Sequence, residues 1–110
     1  MLYAKIVVGL PISGPFDYLV PESLEKGIEI GIRVWVSFGP KKMVGYVVGV
    51  AKKSSIKKIK PILQIIDTKP IINQQLLFLA KDISEYYNCS FGEAIESAIP
   101  LGLRLGKEIK

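Results

Sequence analysis

Apolar and polar positions alternate along the first two-thirds of the chain, and this two-residue period is typical of β-strands that bury one face. It predicts five strands, at residues 2–8, 16–20, 30–38, 43–50 and 61–66. The third strand has the clearest alternation, and its expected core positions are Ile30, Ile32, Val34, Val36 and Phe38. A turn at Gly39-Pro40 joins the third strand to the fourth, since both residues favour turns.

The last third of the chain changes to helical spacing, with apolar residues at Leu76, Leu79, Ala80, Ile83 and Tyr87. Asn73 precedes this run and is the expected N-cap. Ser90 and Glu93 have the spacing of a capping box, so a second short helix should begin there and end before Pro100.

This order of elements predicts a mainly β domain, all-β or α+β. We expect a small curled sheet or β-barrel-like fold followed by one or two C-terminal helices. The β part should occupy about 1–68 and the helical part about 72–99, within one domain at 1–105. Residues 106–110 are interpreted as the start of a linker.

The composition excludes several classes of protein. The chain has no histidine, which excludes histidine-based metal sites and catalysis that uses a histidine base. Its one cysteine, Cys89, suits a reducing compartment. There is no phosphate-binding loop of the ATPase type, no metal-ligand spacing, no signal peptide and no apolar run that could span a bilayer. We therefore expect a cytoplasmic binding domain that is not an enzyme, needs no cofactor and has no membrane partner.

Positive charge is concentrated in one region. Residues 30–66 contain no Asp or Glu, and their basic residues are Arg33, Lys41, Lys42, Lys52, Lys53, Lys57, Lys58 and Lys60. An ordinary solvated surface mixes both signs of charge. The uniform sign therefore favours a polyanionic partner, and these residues are candidate contacts to a nucleic-acid backbone. Charge alone does not distinguish DNA from RNA.

Two aromatic positions have alternative interpretations. Trp35 lies beside Arg33 on one face of the third strand, where it could stack on bases or pack in a second small core; core packing is the commoner role of tryptophan. Phe16 and Tyr18 should face the core, which would leave Asp17 between them exposed. Most such acids are only solvated, but a carboxylate at a nucleic-acid site repels phosphate and accepts hydrogen bonds from hydroxyl groups.

Several landmarks occur in a fixed order along the chain. They are Gly14–Pro21, Gly31–Gly39, Gly45–Val48, Lys60–Asp67, Tyr86-Tyr87 and Gly92-Glu93. With Phe-Asp-Tyr in the first and Arg-Val-x-Val-x-Phe-Gly in the second, the chain resembles, up to about Leu105, the N-terminal domain of the bacterial primosomal replication protein N′ family, the PriA helicases.

The resemblance implies a domain that binds the 3′-hydroxyl end of the nascent leading strand at stalled replication forks. The implied pocket residues are Phe16, Asp17, Tyr18, Gly39 and Lys60. Asp17 would accept a hydrogen bond from the 3′-hydroxyl, Lys60 would face phosphate, and Gly39 would let the nucleotide approach the backbone. The implied partners are DNA, the ATP-dependent helicase domains of the same parent chain, and other primosome or single-strand-binding proteins, in the bacterial cytoplasm at the nucleoid.

Two other functions fit the residues alone. A small basic RNA-binding barrel would use the same charged surface but has no use for an acid that reads strand ends. A protein-interaction module could use that surface to meet an acidic partner, and its binding would not depend on nucleic acid.

Overall fold

The computed structural model describes residues 1–54, 56 and 59–99 of the 110-residue chain. Its strands are β1 (Leu2–Val8), β2 (Phe16–Val20), β3 (Arg33–Phe38), β4 (Lys41–Ala51) and β5 (Gln64–Ile65). Its helices are α1 (Gln74–Tyr87) and α2 (Phe91–Ala98), and a 3₁₀ turn at Glu22–Gly27 follows β2. The predicted linker at 106–110 lies outside the described residues, whereas α2 ends at Ala98, before Pro100, as predicted.

The five strands form one antiparallel sheet in the order β2-β1-β4-β3-β5. The sheet is curled, because the segment before β5 also reaches the opposite edge. The Leu19 amide donates to the Lys60 carbonyl at 3.0 Å, and the Ile62 amide donates to the Leu19 carbonyl at 2.9 Å. The strands do not close into a complete barrel, but the mainly β fold with two C-terminal helices is confirmed.

The sheet buries apolar residues on both faces. The inner core contains Ala4, Ile6, Val8, Tyr18, Val20, Ile32, Val34, Val36, Val47 and Ile62. The second core lies between the other face and the helices, and contains Val7, Val44, Tyr46, Ile72, Ala80, Ala94, Ile95 and Ile99. Ile32, Val34 and Val36 are fully buried as predicted, and Phe38 packs half-buried against the inner core.

The start of the third strand was predicted wrongly. β3 begins at Arg33 rather than residue 30, and Ile30 is 48% exposed instead of lying in the core. Gly31 explains the difference, because its φ of 98° belongs to a conformation that breaks a strand. A Cβ at this position would also lie 2.3 Å from the Ile72 carbonyl oxygen, so the chain passes too close here for any side chain.

Arg33 requires a second correction. Its side chain is fully buried, and both Nε and Nη2 donate to Asp67, at 2.8 Å and 2.5 Å. The Arg33 amide donates to the same carboxylate at 2.9 Å. Arg33 therefore does not contact a nucleic-acid backbone from this position, because its guanidinium is buried and paired with Asp67. The sequence pattern placed it correctly on the same face as Trp35 but could not show that this face is covered.

The last predicted strand is shorter than expected. The alternation predicts a strand at 61–66, but only Gln64 and Ile65 pair with β3. Pro61 has no amide proton and makes a single parallel bridge to Leu19. The segment therefore divides its pairing between two strands instead of following one.

Both helices begin where the capping residues predict. The Asn73 side chain accepts a hydrogen bond from the Leu76 amide at 2.8 Å, and Ser90 with Glu93 forms a complete capping box. Gly92 allows α2 to lie against β1, since a Cβ there would overlap the Val8 carbonyl. Within the described ranges, neither helix is long and apolar enough to cross a membrane.

Replacing Asp67 with Ala should strongly destabilise the fold, because it removes the carboxylate that compensates a buried guanidinium. We expect the free energy of unfolding, measured by urea denaturation, to fall by roughly 3–5 kcal/mol. Asp82→Ala, at an exposed position on α1, is the matched control and should change it by less than about 0.5 kcal/mol. Equal stability of the two variants would contradict this role of Asp67.

Candidate nucleic-acid interface

One cavity of about 490 Å³ brings together all five residues expected to form the end-binding pocket. These are Phe16, Asp17, Tyr18, Gly39 and Lys60, and the remaining lining residues are Lys5, Pro15, Ser37, Phe38 and Ile56. The five positions span residues 16–60 of the sequence and converge only because the sheet is curled. The cavity is therefore the candidate binding site.

Three parts of the fold build this cavity. The edge strand β2 supplies Phe16, Asp17 and Tyr18, while the turn after β3 supplies Gly39. Lys60 reaches the same place because its carbonyl accepts the hydrogen bond from the Leu19 amide. A backbone interaction thus joins Lys60 to Leu19, the residue that follows Tyr18 in β2.

The Asp17 carboxylate is held by two donors. Lys5, which lies directly opposite Asp17 in the β1–β2 ladder, donates through Nζ to Oδ1 at 2.6 Å. The Ser54 hydroxyl donates to Oδ2, also at 2.6 Å. Only 10% of the Asp17 side chain is exposed, so the sequence prediction of an exposed acid was wrong. Its carboxylate lines the cavity but is oriented by neighbours rather than by solvent.

These contacts also set the charge of Asp17. The hydrogen bond from Lys5, followed by that from Ser54, lowers the pKa of the Asp17 carboxyl below its ordinary value, although burial opposes the shift. Asp17 is therefore ionised at neutral pH. A carboxylate has about four lone-pair positions, so acceptor capacity remains for a further hydroxyl donor.

The aromatic side chains form firm walls around the acid. Tyr18 is buried in the inner core, and its hydroxyl donates to the Ser37 carbonyl at 2.8 Å. Burial also raises the pKa of the Tyr18 hydroxyl, so it stays protonated. Phe16 packs edge-on against Phe38, with ring centroids 5.3 Å apart. The expectation that Phe16 and Tyr18 pack towards the core is confirmed.

Gly39 forms an open side of the site. Its φ is 59°, in the left-handed region that favours glycine. The position that a Cβ would occupy has no atom within 4 Å. Glycine is thus favoured here by the backbone conformation, and it leaves space in which a ligand can approach the main chain.

The other candidate lysines lie on the surface in two groups. Lys41 and Lys42 follow the Gly39 turn, whereas Lys52 and Lys53 precede Ser54 at the end of β4, and all four are exposed. The predicted backbone contacts Lys57 and Lys58 lie outside the described residues.

Trp35 packs as its core interpretation predicts, and its ring also contacts a cation. Its ring is half-buried and packs against the second core, which supports the core role. The Lys42 ammonium covers the ring, 4.7 Å from its centroid. A base could stack on Trp35 only after displacing this cation.

Sequence reasoning did not predict six of the residues at the site: Lys5, Pro15, Ser37, Phe38, Ser54 and Ile56. Lys5 lies outside the basic region at 30–66, and its link to Asp17 depends on the register between β1 and β2. An alternating pattern assigns a residue to a face of a strand but not to a partner across the ladder. Within the described parts of the chain, no group of three or more acidic or cysteine side chains could hold a metal ion.

A comparison with protein families matches residues 5–100 to the 3′DNA-binding domain (3′BD) of PriA. The chain belongs to this family. It is 31% identical to the replication restart protein PriA of Bacillus subtilis, with 100% of the chain aligned, and 37% identical to that of Chlamydia pneumoniae, with 90% aligned. It is also 31% identical to the Haemophilus influenzae protein, with 97% aligned.

The aligned region is a small part of these relatives. It amounts to 14% of the B. subtilis PriA, 13% of the C. pneumoniae protein and 15% of the H. influenzae protein. The family matched is a DNA-binding domain and not a catalytic one. Residues 5–100 are therefore assigned to a DNA-binding domain.

The lowered pKa of Asp17 predicts a pH-dependent contribution to stability. Ionised Asp17 should stabilise the wild type relative to Asp17→Asn, fully at any pH above the unfolded-state pKa of about 3.9. That difference should disappear as the pH falls through the lower pKa of the folded state. Urea unfolding of both proteins across the acid range measures it, and a difference independent of pH would contradict the assignment.

Proposed function

We propose that this domain binds the 3′ end of a DNA strand by enclosing the terminal nucleotide in the cavity, where Asp17 accepts a hydrogen bond from the free 3′-hydroxyl. The observation that carries the proposal is the convergence of Phe16, Asp17, Tyr18, Gly39 and Lys60 on one cavity. The family match supports DNA as the ligand and its 3′ side as the part bound. No metal or other cofactor is required for this recognition.

The surroundings of Asp17 suit a hydroxyl better than a phosphate. The carboxylate is ionised and fixed, so it offers a hydrogen-bond acceptor without first having to reorient. A terminal phosphate would bring negative charge against it. Lys60 is exposed at the rim of the cavity, where its ammonium can bind the last internucleotide phosphate.

Recognition in this cavity does not depend on base identity. Its lining offers the Phe16 and Phe38 rings and the exposed Ile56 side chain to the sugar and base. Apolar and stacking contacts accept every base, because each base has a flat apolar face. A domain that meets arbitrary sequences requires this tolerance.

The matched relatives are named replication restart proteins, which suggests where such ends occur. The proposed ligand is the 3′-hydroxyl end of the nascent leading strand at a stalled fork in the bacterial nucleoid. The domain would act as part of a longer helicase, delivering that end to ATP-dependent domains of the same parent chain. Other primosome proteins and single-strand-binding proteins are proposed further partners.

The first test compares two single strands that differ only at the 3′ end. A strand with a 3′-hydroxyl should bind the wild type roughly ten- to a hundredfold more tightly than one with a 3′-phosphate, as expected for one charged hydrogen bond. Fluorescence anisotropy in buffer with EDTA measures both affinities. Asp17→Asn should reduce the ratio of the two affinities, because the amide lacks the charge that repels phosphate.

A strand blocked with phosphate at its 5′ end provides the control, and it should bind as tightly as its unblocked twin. Equal wild-type affinity for the 3′-hydroxyl and 3′-phosphate strands would contradict end recognition. It would leave a general single-strand binder instead.

The second test concerns the cations around the site. Lys60→Met should weaken binding to all sequences alike and reduce the slope of log K against log salt by about 0.7, the contribution of one phosphate contact on a single strand. Lys69→Met removes an exposed charge that does not line the cavity, and it should leave the slope nearly unchanged. If both variants keep the wild-type slope, Lys60 does not bind phosphate.

A further inference from the structure

Lys5 lines the cavity, but the proposed function gives it no direct role in ligand discrimination. It projects from β1 opposite Asp17, lines the cavity, and is 36% exposed. Its ammonium lies 2.6 Å from Asp17 Oδ1. The acid expected to read the strand end therefore has a cation beside it.

This pair changes the electrostatic argument for the site. A carboxylate alone repels a phosphate, but a carboxylate and an ammonium together have no net charge and repel it less. An ammonium has three N–H donors, and phosphate oxygens are strong acceptors for them. Lys5 would therefore attract a terminal phosphate if Asp17 did not hold it.

We propose that Lys5 is a second specificity-determining residue of the end site, and that Asp17, besides repelling a 3′-phosphate, excludes it by occupying this ammonium. This inference rests on the proposed function and deepens it. The Lys5–Asp17 pair then recognises the strand end together. The carboxylate accepts a hydrogen bond from a 3′-hydroxyl, and it also keeps the Lys5 ammonium from binding a phosphate.

The other ion pair of the described residues shows why this one is suited to ligand recognition. Arg33 and Asp67 have side chains 0% and 4% exposed, and neither lines the cavity. A ligand in the cavity therefore cannot reach that pair. The Lys5 ammonium is partly exposed at a cavity wall, and Ser54 provides Asp17 with a second donor if Lys5 changes partner.

The inference predicts that Asp17→Asn improves binding of a 3′-phosphorylated strand, and does not merely weaken binding of the 3′-hydroxyl strand. With the carboxylate gone, Lys5 is free to bind the phosphate, which should raise that affinity about tenfold over the wild type. The double variant Asp17→Asn/Lys5→Met should lose most of this gain. Asp17→Asn/Lys5→Arg should keep it, because the charge and the donors remain.

Two controls separate this effect from a general loss of positive charge. Asp17→Asn/Lys69→Met has the same net charge as the Met double variant, but it should keep the gain, since Lys69 lies away from the cavity. Lys5→Met alone should not improve binding of the 3′-phosphate strand, because Asp17 is still present. Circular dichroism melting of each variant establishes that it is folded, and Lys5→Gln replaces Lys5→Met if the latter unfolds.

Anisotropy titrations of all variants against the 3′-phosphate and 3′-hydroxyl strands give a double-mutant cycle. Equal binding of the 3′-phosphate strand by folded Asp17→Asn and Asp17→Asn/Lys5→Met, with the wild-type preference for 3′-hydroxyl intact, would overturn the role of Lys5 and leave the proposed function standing. A wild type that does not distinguish the two strands would overturn both.

Discussion

The two backbone hydrogen bonds of Leu19 determine the shape of the domain. One joins its amide to the Lys60 carbonyl, and the other joins its carbonyl to the Ile62 amide. They connect the edge strand β2 with the segment that leads to β5 at the far edge of the sheet. Because of this connection the sheet curls around its inner core and an edge that would otherwise be unpaired is partly covered. The same connection places Lys60 beside Asp17, so the fold and the candidate site share one constraint.

The two ion pairs among the described residues differ in their access to solvent. Arg33 and Asp67 are buried together and connect β3 to the chain just after β5, which holds the last strand in place. Lys5 and Asp17 join β1 to β2 at the wall of the cavity, where a ligand can compete with the pair. Burial decides the difference, because a charge pair without access to solvent cannot exchange its partner for a phosphate.

Local pattern was enough to predict much of the fold. The strands at Leu2–Val8 and Phe16–Val20 follow from two-residue alternation, and both helix starts follow from Asn73 and Ser90 as capping residues. Local pattern failed at Ile30, because Gly31 has a positive φ and the Ile72 carbonyl approaches it too closely for any side chain. That approach joins positions far apart in the chain and leaves no periodic signal.

Some residues of the candidate site could be predicted from the sequence, but the contacts they make could not. Resemblance to the PriA family pointed to the five residues that the curled sheet assembles. It could not reveal that Arg33 forms an ion pair with Asp67, or that Asp17 accepts hydrogen bonds from Lys5 and Ser54. A charged residue is assigned to the surface by default, and only cross-strand register and burial show which charges are already paired.

A crystal structure of the chain with a short single strand that ends in a 3′-hydroxyl is the most direct test of end binding. The terminal nucleotide should lie inside the cavity lined by Asp17, Gly39 and Lys60. Its 3′-oxygen should lie within hydrogen-bonding distance, about 2.5–3.0 Å, of an Asp17 carboxylate oxygen. A strand bound along the exposed lysines with its 3′ end outside the cavity would contradict recognition of the 3′ end by this cavity.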